Sequence, residues 1–255
     1  MDDPVRPELS IQPGWMNAAG IFGFAPPAAW PVELPPVAFV TDPISYKSRS
    51  PAHDRRCVPY PGGMVLHTGW PNPGFRKVVL TYGQRWARSN VPIWVHLLAE
   101  RPYEVDKMVR WLEEAEGVAA VEIDLPPGAS DNERLELVES ALGELPLVLC
   151  VPLDQVNKEW VARAVESGAN AISISAPRGA LPMMDGSTVG GRCYGSGLLP
   201  LALQALTGLR EKHLPLIAGC GVYDWAAMKT MLKAGAAAVK LDTVLWRGLD
   251  ARFED

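Results

Sequence analysis

The chain has 255 residues and a formal net charge of −5, with 48% of its residues hydrophobic and 21% charged. That composition supplies a large core and excludes both wholesale disorder and a general nucleic-acid binder, whose affinity rests on a basic surface. No apolar run reaches the roughly 18–20 residues of a membrane span. The acidic Met1-Asp2-Asp3 start is unlike a signal peptide, and Cys57, Cys150, Cys193 and Cys220 lack any paired spacing. The expectation is a cytoplasmic protein with reduced thiols and neither a nucleic-acid nor a membrane partner.

Eight strand candidates follow along the chain, at about 15–18, 37–41, 92–97, 119–124, 146–151, 171–175, 215–219 and 237–241. Between the first two, residues 25–36 hold five prolines and leave little room for a helix. Residues 43–91 are a long excursion with one predicted helix over Phe75–Ala87; its basic stretch Lys47–Arg56 reads as a solvated loop. A helix over Tyr103–Glu116 carries Val105, Met108, Val109 and Leu112 at helical spacing. Ser130 with Glu133 forms a capping-box pattern ahead of Leu135, Val138 and Leu142. Segments 115–124, 166–175 and 233–242 align without gaps, each passing from a helix end through glycine into a short apolar strand. Helices between strands mean a parallel sheet, and eight strands in this length predict one (β/α)8 TIM barrel, a single domain over 1–255. The excursion 43–91 should then lie over the barrel mouth.

Functional groups in such barrels sit at the C-terminal strand ends. Side chains alternate along a strand, so Glu122, Asp124, Ser173, Ser175, Lys240 and Asp242 should face the barrel axis. Even-numbered candidates bring Asp42, Asp124, Ser175 and Asp242 to the mouth, odd ones Asn17, His96, Cys150 and Cys220, and the excursion adds His67. Beneath them a Glu122–Lys240 ion pair is expected. Carboxylates beside imidazoles suit acid–base chemistry or a cation site, and equally an ordinary network in which Lys240, Arg178 and Arg192 neutralise them. No HExxH or paired-cysteine spacing singles out a metal, and none is assigned. Glycines 190, 191, 195, 197, 219 and 221 cluster near the last strands, where barrels often cradle a phosphate.

Asn17-Ala18-Ala19-Gly20-Ile21-Phe22-Gly23 resembles the N-A-S-G-T-F-G signature of class 1 dihydroorotate dehydrogenases. Ala38-Phe39-Val40-Thr41 is similar to that family's second strand, and Gly69-Trp70-Pro71-Asn72-Pro73-Gly74 to its G-L-x-N-x-G segment. Residues 190–203 and 215–243 are similar to its glycine-rich segment and last two βα units. The resemblance implies an FMN barrel oxidising dihydroorotate, often homodimeric, with FMN against Ala18, Ala19, Gly20, Gly195, Gly221 and Thr243.

Position by position, the implied chemistry is replaced. Two functional lysines fall on Asp42 and Cys150, and the proton-accepting cysteine falls on Pro127. Asparagines fall on Leu66, Asp124, Ala129 and Ala176, and two glycines on Cys220 and Asp242. Proline cannot take a proton, and exchanging lysine for aspartate reverses local charge. The expectation is therefore a divergent barrel of flavin oxidoreductase lineage that does not oxidise dihydroorotate. Either it uses Asp42, His67, His96, Asp124 and Cys150 on another small molecule, or it is a catalytically inactive homologue serving as a binding or assembly partner. A mouth plugged by Trp70 or by residues 25–36 would favour the second.

Overall fold

The computed structural model describes residues 7–54, 56–209 and 214–246; the Met1-Asp2-Asp3 start lies outside them. In chain order the first elements are β1 (Trp15–Asn17), β2 (Phe39–Val40), β3 (Arg56–Tyr60), β4 (Gly63–His67), α1 (Phe75–Ala87) and β5 (Ile93–Leu98). Next come α2 (Pro102–Glu113), β6 (Val118–Asp124), α3 (Asp131–Ser140), β7 (Leu147–Pro152), α4 (Glu159–Ser167) and β8 (Ala171–Ser175). The last are β9 (Arg178–Pro182), β10 (Thr188–Tyr194), α5 (Leu199–Leu209), β11 (Leu216–Ala218), α6 (Trp225–Lys233) and β12 (Ala238–Leu241).

Eight strands pair in parallel in the order β1-β12-β11-β8-β7-β6-β5-β2. A parallel bridge between Met16 and Ala38 joins the two ends, so the sheet closes into a (β/α)8 barrel. Each strand candidate is present, displaced at its ends by two residues at most. α1 has the predicted bounds, whereas α2 stops at Glu113 because Glu114–Glu116 form a turn leading into Gly117 at φ 87°. No helix among the described residues is long and apolar enough to cross a membrane.

The strand alternation divides the interior from the outer layer. Trp94, Ala120, Val148, Ala171, Ile217 and Ala238 form one apolar cluster at the start of the strands, where small alanines make room for the single indole. Their i+1 neighbours, among them Val95, Val121, Leu149, Ile172, Ala218 and Val239, pack outward under the helices. The first crossover lacks a helix, as its prolines require. Trp30 takes over the cover instead, meeting Trp15 and Phe22 edge-on at 5.9 Å, while Trp15 Nε1 donates to Leu34 O at 2.9 Å.

α3 shows how local sequence sets a boundary. Ser130 Oγ accepts from Glu133 N at 3.3 Å, and Glu133 returns by accepting from Ser130 N at 2.7 Å. Ser130→Ala should lower stability by about 1 kcal/mol, read as a lower urea midpoint at unchanged slope.

The excursion folds differently from the solvated loop and lone helix expected of it. β3 and β4 form an antiparallel hairpin that β10 and β9 extend to a four-stranded sheet, β3-β4-β10-β9. This sheet stands at the C-terminal end of the barrel and delivers side chains to the mouth from above, Arg192 and Tyr194 of β10 foremost.

Candidate functional site

Three tiers of inward-facing residues rise through the barrel. Above the apolar floor, register places His96 beside Glu122, and Asp124 beside Cys150, which in turn neighbours Ser173. Glu122 is wholly buried and forms an ion pair with Lys240 across the barrel, as the alternation predicts. Its other oxygen meets His96 Nδ1 at 2.6 Å. Burial alone would raise the Glu122 carboxyl, but Lys240 and His96 outweigh it and hold the group well below the ordinary carboxylate range.

In the tier above, Asp124 pairs with Arg192, whose guanidinium also donates to Ser175 Oγ at 3.1 Å and Ala176 O at 3.0 Å. Burial opposes the Arg192 charge, but Asp124 keeps its pKa raised. Asp242 is buried, hydrogen-bonded by Thr243 Oγ1 at 3.2 Å, and has no ion-pair partner among the described residues. Burial therefore pushes its carboxyl up to about 6. Burial, with Glu122 and Asp124 nearby, pushes the Cys150 thiol up to about 12, so at neutral pH it is a thiol and not a nucleophilic thiolate.

The candidates thus separate. His96, Asp124, Cys150, Cys220 and Asp242 line one inner cavity with Ala18, Ala19, Lys240 and Arg192. Asp42 does not line it. Its carboxylate turns to the loop after β1 and accepts from Gly23 N at 2.9 Å, and burial raises its pKa. Asn17 spends its side chain on the wall, donating to Val40 O at 2.6 Å and accepting from Val40 N at 3.0 Å. His67 lies outside, 3.5 Å from Asp54 and partly exposed. Tyr194, which lines the same cavity, escaped the sequence reading. Its signal was the i, i+2 spacing from Arg192, legible only once residues 188–194 are known to be a strand.

Trp70 lies between the inner cavity and the cleft outside it, with Asp124, Arg192 and Tyr194 also lining both. Asn72 fixes its turn, donating to Trp70 O at 3.1 Å and accepting from Ser45 N and Gly74 N. The indole lies against Gly20, where a Cβ would come within 2.8 Å of Cζ3, and stacks over the Arg192 guanidinium at 5.7 Å. Trp70 and Cys220, with φ of 52° and 72°, are the non-glycine residues at positive φ among those described, and both line the inner cavity. Strain of that kind collects at functional or formerly functional positions.

Beneath Trp70 the cavity measures about 40 Å³, enough for a few waters at about 10–15 Å³ each. Outside Trp70 lies a cleft of about 360 Å³ lined by Arg49, His67, Trp70, Glu100, Pro127, Arg178 and Arg192, among others. The second volume is of small-molecule size and the first is not.

The FMN that the resemblance implies can be tested against these contacts. Gly20 is covered by Trp70, Gly195 packs on the backbone of Gly62 and Gly63, and Gly221 packs on Leu199. Thr243 Oγ1 is bonded to Tyr223 at 2.7 Å and to Asp242. A tricyclic ring does not fit the inner cavity with Trp70 in place, and Asp242 adds a buried carboxylate where an anionic phosphate would need a cation.

No protein-family model matches the chain. It is 28% identical to a protein from Aeropyrum pernix provisionally named dihydroorotate dehydrogenase A (fumarate), over 92% of this chain and 86% of that one. It is 25% and 26% identical to proteins named dihydroorotate dehydrogenase B (NAD(+)), catalytic subunit, from Pelobacter propionicus and Thermodesulfovibrio yellowstonii, each over 92% of this chain and 84% of the relative. The chain is thus a closed eight-stranded (β/α)8 barrel similar, over most of its length, to proteins named dihydroorotate dehydrogenase.

Proposed function

We propose that this chain does not oxidise dihydroorotate and that it takes a different small molecule at the C-terminal mouth, in the cleft outside Trp70. The observation that carries the reading is the mouth itself. Arg192–Asp124 and Lys240–Glu122–His96 fill it with paired charge, Trp70 covers it, and the ligand-sized space lies beyond. Pro127 lines that outer cleft at the position the resemblance gives to the proton-accepting cysteine, and it offers no proton acceptor there. Among the groups that line the cleft, the His67 imidazole and the Arg178 guanidinium can meet a ligand, with Trp70 as an aromatic wall. FMN and a homodimer remain implications of the lineage, and no step in this reading runs through a flavin.

A second reading, an inactive homologue that binds or assembles, is favoured by the same cover of Trp70 over Gly20. One set of measurements separates them. Purified protein should be colourless, and with added FMN and an electron-accepting dye it should show no dihydroorotate-dependent reduction. A panel of small metabolites should contain one that raises Tm in the wild type and not in Arg178→Ala. Turnover of dihydroorotate would overturn the first reading. A panel without any Tm shift would leave the second.

A further inference from the structure

The tier under Trp70 holds chemistry that the outer cleft does not use. A ring nitrogen of His96, a carboxylate oxygen of Glu122 and Sγ of Cys150 lie within 4.8 Å of one another, delivered by three adjacent strands. His96 is only 2% exposed. With Nδ1 engaged by Glu122, its Nε2 is buried and has no hydrogen-bond partner among the described residues, although the side chain lines the cavity. A buried lone pair left unpaired is costly, and native proteins seldom leave one without water or an ion to meet it. A histidine whose Nδ1–H is held by a carboxylate while Nε2 stands free is also the arrangement that orients metal-binding imidazoles.

We propose that the cavity beneath Trp70 binds one borderline-soft divalent cation of the zinc class, held by His96 Nε2 and the Cys150 thiolate, with Glu122 orienting the imidazole and water completing the coordination. The donors choose the class, since sulfur and imidazole nitrogen suit zinc-like ions and an oxygen cage would suit magnesium or calcium. The charges also close. Lys240 cancels Glu122 and Arg192 cancels Asp124, so the ion is balanced by the thiolate and by Asp242, the buried carboxylate without a cation. Binding breaks the Cys150 S–H bond, forms a sulfur–metal bond and releases that proton to solvent. At about 40 Å³ the cavity takes a bare ion and one or two waters. The site does not depend on which molecule the outer cleft accepts.

The full-length chain tests this directly. After expression in zinc-supplemented medium and passage through a chelating column, mass spectrometry should find about one zinc per chain. Cobalt-supplemented expression should give thiolate-to-cobalt charge-transfer absorption. That band should survive replacement of both Cys57 and Cys193 by serine and disappear in Cys150→Ser. Glu122→Gln should retain the band and bind about 10–100-fold more weakly. Protein without retained metal, metal retained without the charge-transfer band, or a band lost with Cys57 and Cys193 would each overturn the proposal. Because Cys220 lines the same cavity, a band that also survives Cys220→Ser assigns the sulfur to Cys150 even where the Cys150 variant fails to fold, and a band lost with Cys220 overturns the proposal.

Discussion

Lys240→Met should destabilise the barrel by about 3–5 kcal/mol, the cost of leaving a buried charge without its partner. Glu122 has no exposure and Lys240 has 5%, so bulk solvent does not replace the lost ammonium. The carboxylate would keep only the His96 contact. Methionine fills most of the lysine stem, so packing loss stays small and the change reports charge. The control is Lys240→Met combined with Glu122→Gln. With both charges removed, the amide still accepts from His96 Nδ1, and stability should return to within about 1–2 kcal/mol of wild type, since buried pairs often contribute little net against neutral side chains of similar size. Chemical denaturation of the three proteins measures the cycle. A double variant as unstable as Lys240→Met alone would mean that the lysine acts through packing.

That pair was visible in the sequence because a strand enforces a two-residue period. Once 119–124 and 237–241 are strands of one barrel, Glu122 and Lys240 must both face its axis, and two opposite charges in an apolar interior must meet. The same arithmetic brought His96, Cys150 and Asp124 inward. It placed Asp42 at the mouth too, but β2 ends at Val40, Asp42 N turns to Gly23 O, and the chain rejoins β5 at Ile44 one residue out of register, so the carboxylate answers the loop at Gly23 instead. Period alone says nothing once pairing stops.

The four-stranded sheet over the mouth was not legible for a related reason. β3 alternates partly buried and exposed residues and holds Pro59, and its hairpin partner β4 finds its own far partner, β10, more than a hundred residues away. Such pairing leaves little trace in local pattern. Arg192 and Trp70 were recognisable as a counter-charge and a plug, yet that one stacks on the other depends on this sheet.

Trp70→Gly should expose the inner cavity, and the thiol of Cys220 reports it. Cys220 is 3% exposed and lines the space under the indole, and burial holds its thiol well above the ordinary range, so in the wild type it should resist a small alkylating reagent. Removing the indole joins that space to the cleft of about 360 Å³. Water then enters, and both access and thiolate fraction rise together. With Cys57 and Cys193 replaced by serine, labelling of Cys220 should quicken at least about tenfold, as an opening free-energy change of about 1.4 kcal/mol would produce. Glycine relieves the φ of 52° at this position while the Arg192 stack is lost, two effects of similar size, so Tm should move little. The FMN comparison uses the same protein. Asp42→Lys with Asp242→Gly should leave FMN affinity unchanged while Trp70 covers Gly20, because one carboxylate faces a loop and the other lies beneath the indole. Stronger FMN binding from the charge changes alone, with no gain in Trp70→Gly, would mean that charge rather than the indole closes the mouth.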